Sequence, residues 1–74
     1  MTGYVVVFEV DDQSGYSAYS PDLPGVVAAA DTREETDALM REAMSEHVAI
    51  LRQTGQPVPE PAAAAVTIVG IPAA

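Results

Sequence analysis

The sequence predicts an α+β fold of two layers in the order β-β-β-α-β. A four-stranded mixed sheet of spatial order 3-2-1-4 carries one helix on one face. Three observations predict it. Three short runs rich in β-branched and aromatic residues are separated by turn chemistry. One long amphipathic run is capped at both ends. A last apolar run follows a proline-rich connector.

The first strand is read over residues 4–10, Tyr-Val-Val-Val-Phe-Glu-Val. Such residues suit a pleated, buried surface. Alternation puts Tyr4, Val6, Phe8 and Val10 on one side and Val5, Val7 and Glu9 on the other. Both sides begin apolar, which predicts a central strand covered on both faces. Residues 11–15, with Asp11 and Asp12 and ending in Gly15, form a polar hairpin turn. Residues 16–20 make the second strand, on which Tyr16 and Tyr19 point to opposite faces.

Pro21 lacks an N–H and ends the pairing. Asp22 is expected to fold onto nearby backbone N–H groups as an Asx-turn. Pro24 and Gly25 fit the central positions of a type II turn, where proline sets φ and glycine accepts a positive one. This corner leads into a short third strand over residues 26–30, whose alanines predict a close-packed neighbour.

The helix has the strongest local signals. Thr32 followed three residues later by Glu35 is a capping box. Asp31, Glu34 and Glu35 favour the positive end of the helix dipole, and Arg33 opposes it. Leu39, Met40, Ala43, Met44, His47, Val48, Ile50 and Leu51 make a broad apolar stripe. Arg52 suits the last turn, and Gly55 the left-handed cap beyond it. Residues 55–62 are a semi-rigid connector. Residues 66–71 read as a last strand, apolar on both faces as a buried parallel strand is. A strand–helix–strand crossover favours parallel, right-handed pairing, hence a fourth strand beside the first.

The 74 residues predict one domain. Below ~80 residues a core rarely supplies more than ~3–5 kcal/mol. There is no cysteine and one histidine. Disulfides and thiol-bound zinc are thereby excluded, imidazole metal sites are disfavoured, and no cofactor is expected. Self-association, as dimer or tetramer, is the expected supplement. The N-terminus has no basic region and no long apolar run, which predicts a cytoplasmic protein away from membranes. The net charge is −8, with three arginines and no lysine. That disfavours nucleic acid and suits a basic partner, although acidity also serves plain solubility.

Four motifs together carry a family resemblance: Tyr16-x-Ala18-Tyr19; Pro21-Asp22-Leu23-Pro24-Gly25; Asp31-Thr32 with Glu34-Glu35; and Gly55-x-Pro57-x-Pro59-x-Pro61. With them, almost the whole chain resembles the HicB family of antitoxins, of partial RNase H-like fold. The resemblance implies a non-catalytic binding module. Its implied partner is HicA, a small basic toxin of double-stranded-RNA-binding fold that cleaves mRNA, whose catalytic histidine the antitoxin covers. Many members carry a C-terminal DNA-binding domain. Three residues follow Ile71 here, so neither that domain nor direct operator binding is expected. Val26 and Ala30 stand where cysteine and glycine are common in the family.

Tyr16, Tyr19, Asp11 and Asp12 are the candidate partner contacts. Core packing competes for the tyrosines and a solvated turn for the aspartates. Pro21, Asp22, Pro24, Gly25, Thr32, Glu35 and Gly55 are assigned structural roles. His47, inside the apolar stripe, reads as a packed histidine rather than a base, because no nucleophile or carboxylate partner is recognisable beside it. Two other functions compete: an orphan HicB-like interaction domain without a toxin, and a metal-dependent nuclease. The nuclease needs converging carboxylates. Glu9 is one, but the last strand holds no acid, and Glu42 and Glu46 sit on the polar face of the helix.

Overall fold

A computed structural model describes residues 3–73. The chain order is β1 (Val7–Val10), β2 (Tyr16–Tyr19), β3 (Val27–Ala30) and α1 (Arg33–Gln53). The strands form one antiparallel sheet in the order β1-β2-β3. Its rows are Val7–Tyr19–Val27, Phe8–Ala18–Ala28, Glu9–Ser17–Ala29 and Val10–Tyr16–Ala30.

The hairpin turn is organised by Asp11. Its Oδ1 accepts from the N–H of Gln13 at 2.8 Å and of Gly15 at 2.7 Å. The Asp11 N–H donates to the Gly15 carbonyl at 2.9 Å. Antiparallel pairs alternate between bonded and non-bonded rows. Residues 7 and 9 therefore bond towards β2, while the backbone groups of Phe8 and Val10 point to the free edge.

The helix starts where the capping chemistry dictates. Thr32 Oγ1 accepts from the Glu35 N–H at 3.1 Å, and its hydroxyl donates to Glu35 Oε1 at 2.9 Å. The helix ends in a Schellman motif. The Gln56 N–H bonds the Leu51 carbonyl, the Gly55 N–H bonds that of Arg52, and Gly55 has φ +72°.

Helix α1 lies over β3 and β2 rather than β1. Ala18, Leu23, Val26 and Met40 are the buried core, with Tyr4, Val6, Phe8, Ala28, Met44 and Val48 packed around them. Leu23 and Met40 are wholly buried. Each contributes about 2–3 kcal/mol. Thr36, also wholly buried, satisfies its hydroxyl by donating to the Thr32 carbonyl at 2.8 Å. The apolar stripe is narrower than its spacing predicts: Leu39 and Ile50 are 46% and 55% exposed. A helix set towards one side of three strands has too little floor to cover them.

The four-stranded 3-2-1-4 sheet is not what forms. Among the described residues the sheet has three strands, and β1 is an edge strand, not a central one. Residues 4–6 are not paired as strand, so β1 is shorter than expected. Residues 66–71 form no strand either: Val66, Ile68, Val69 and Ile71 are 69%, 98%, 70% and 81% exposed. The cause lies in how the connector is tied down. The Tyr4 hydroxyl donates to the Pro59 carbonyl. Asp22 Oδ2 accepts from the N–H of Ala62 at 2.9 Å and of Ala63 at 2.7 Å. The chain is fixed to the body as far as Ala63, and beyond it meets no ladder.

Candidate functional site

The sheet has one face under the helix and one open. Phe8, Ala18 and Ala28 point to the helix, so the alternating row partners point away. The open face therefore carries Val7, Tyr19 and Val27 in one row and Glu9, Ser17 and Ala29 in another. Tyr19 is 40% and Val27 71% exposed. Tyr16 lies on the helix side and is half-buried, its carbonyl above Thr36.

The last row, Val10–Tyr16–Ala30, puts the β1–β2 turn and the start of the helix at one end of the sheet. Asp11, Asp12, Asp31, Glu34 and Glu35 gather there, and all are exposed. Arg33 is the base among them, and its guanidinium stacks over the Phe8 ring at 4.9 Å. The open face thus runs from an apolar row, through Glu9, to an acidic end. Such a face fits a partner with a basic patch beside an apolar one. Asp11 is engaged within its own turn, whereas Asp12 and Glu9 present their carboxylates to solvent.

The Pro21–Gly25 corner is structural in a way its local chemistry did not reveal. The Leu23 N–H closes a turn onto the Ser20 carbonyl at 3.3 Å, with Pro21 and Asp22 at its centre. Gly25, at φ +90°, supplies the positive φ expected after Pro24. Asp22 does not form the expected Asx-turn. Its carboxylate holds the connector, 40 residues away in sequence.

An open cleft of about 780 Å³ lies between the helix and the connector. Tyr4, Leu23, Met44 and Val48 supply apolar lining, with exposed Arg41 and Arg52 beside it. His47 lies elsewhere, in a shallow groove with Val26, Val27 and Ile50. Among the described residues no cluster of three or more histidine, aspartate or glutamate side chains could hold a metal ion. No helix among them is long and apolar enough to cross a membrane.

A family model described as the HicB-like antitoxin of a bacterial toxin–antitoxin system matches residues 4–69. The chain belongs to the HicB-like antitoxin family. No curated protein and no solved structure matches it significantly. The match to the family model spans every element described above, from Tyr4 beside the connector to the exposed tail. An antitoxin's partner is a toxin, so the functional surface of this HicB-like chain is to be sought among faces that can receive a protein. Sequence reasoning singled out Tyr19, Asp11 and Asp12 on or near the open face. It placed Val7 on an uncovered face as a contact for self-association, left out Val27, and weighed Glu9 only as a metal ligand. The two-residue period of β1 was the available signal, since it puts Glu9 on the same side as Val7.

Proposed function

We propose that this HicB-like antitoxin binds a small basic HicA-like toxin on its open sheet face and neutralises it by occlusion, without chemistry of its own. The carrying observation is the open face itself: an apolar row of Val7, Tyr19 and Val27 leading through Glu9 to five exposed carboxylates. The acidic end steers a basic partner and sets its orientation, and the apolar row, with Tyr19 as its aromatic member, supplies the desolvated contact. A toxin seated there has its own basic, RNA-binding surface covered.

Co-expression with a HicA-like toxin tests this. The unaltered chain should restore growth and co-purify with the toxin. Tyr19→Glu or Glu9→Lys should weaken the complex at least tenfold while the free antitoxin keeps its fold by circular dichroism. If a genuine HicA-like toxin binds nothing and stays toxic, the chain is an orphan interaction domain instead. If both variants bind normally, the contact lies elsewhere.

A further inference from the structure

We infer that residues 66–71 of one copy pair with the free β1 edge of a second copy, so that two chains exchange their tails. The tail's sequence, Val-Thr-Ile-Val-Gly-Ile, has strand-forming chemistry, yet its four large apolar side chains are 69–98% exposed. It offers a run of unpaired backbone groups. So does β1: the backbone of Phe8 and Val10 faces outward, and residues 4–6 lead into that strand without a strand partner. The tail stretch, residues 66–71, is long enough to span the whole of β1, Val7–Val10. An uncovered edge beside an apolar strand is a template for pairing with another chain.

The occupant is settled by charge and anchoring. All 14 charged side chains lie between Glu9 and Glu60; residues 1–8 and 61–74 carry none. Two copies of net charge −8 repel each other over most of their surface. The uncharged tail meeting the uncharged half of β1 is a contact that escapes this repulsion. The same neutrality gives a basic partner no electrostatic reason to take the tail. The tail also starts in the right place. The Tyr4–Pro59 bond sets the connector beside the beginning of β1, and the Asp22 bonds fix the chain to Ala63. Those bonds hold each tail root beside its own β1, and a two-fold axis near that edge would let the two tails cross in a self-complementary contact.

The β3 edge is the poorer acceptor, being alanine-rich and followed at once by Asp31 and the acidic end. The inference does not rest on toxin binding and is tested with this chain alone. Sedimentation of the full chain should give a dimer or a multiple of it. A chain ending at residue 64, and separately Ile68→Pro, should raise the dissociation constant at least tenfold. Proline at position 68 removes one N–H and leaves the body untouched, so it serves if truncation harms folding. In an equal mixture of isotope-labelled and unlabelled chains, filtered nuclear Overhauser contacts should join residues 66–71 of one chain to residues 4–10 of another. A monomeric full chain, an unchanged assembly in both variants, or tail contacts confined to a single chain would each overturn it.

Discussion

Asp22 is the residue on which the path of the chain turns. One of its two carboxylate oxygens, Oδ2, receives two backbone N–H groups that have no other fixed partner, and hydrogen bonds to a charged acceptor are worth about 1.5–3 kcal/mol each at most. Because Asp22 is only half-buried, the net value is lower. Asp22→Ala should cost about 1–2 kcal/mol in urea unfolding and speed amide exchange at Ala62 and Ala63. Unchanged exchange there would show that the connector is held by packing alone. Gly15 is constrained differently. A Cβ at that position would stand 2.7 Å from Asp11 Oδ2 and 3.2 Å from the Ala30 carbonyl. Gly15→Ala therefore must displace the very carboxylate that organises the hairpin turn, and should destabilise by about 1–3 kcal/mol, the usual cost of overpacking, measured as a lower urea midpoint. The caps at Thr32 and Gly55 were legible because their chemistry acts within a few residues. The Asp22 clasp was not, because nothing near Asp22 names an acceptor's partner 40 residues on.

The helix shows what periodicity can and cannot specify. Its spacing predicted one broad apolar stripe, and Met40, Ala43, Met44 and Val48 do lie on the core. Leu39 and Ile50 belong to the same pattern but stay exposed. The period of a helix fixes which residues share a side; the width of the floor beneath it decides how many are covered. Met40→Ala should therefore cost about 2–5 kcal/mol, enough to unfold much of a domain this small at room temperature, whereas Leu39→Ser should change stability by less than ~0.5 kcal/mol. Equal effects in thermal melts would mean that the helix is seated differently. The tail makes the complementary point. Residues 66–71 carry a strand's side-chain pattern, and that pattern says nothing about which edge receives it. The expected parallel neighbour to β1 failed because pairing is a property of two segments and of the chain that joins them.

At the scale of the whole molecule, charge is unevenly divided. Five carboxylates gather at one end of the sheet, and the single ion pair found among the described residues, Arg41 with Asp37 at 3.0 Å, is exposed and on the helix. Exposed pairs of this kind contribute at most a few tenths of a kcal/mol. Self-repulsion should thus be relieved by salt. Raising sodium chloride from low to physiological ionic strength and beyond should raise the melting temperature of the antitoxin alone, while weakening its complex with a basic toxin. Opposite signs in the two titrations are the expected signature; a complex that tightens with salt would remove electrostatics from recognition. The connector has one more consequence. With Asp22 fastened to Ala62 and Ala63, the third strand and the helix lie inside a closed ring of chain. Coil formed within a ring gains less freedom than coil with a loose end. Uncoiling of the rod and release of the clasp should accordingly occur as one event, with no partly melted species between them.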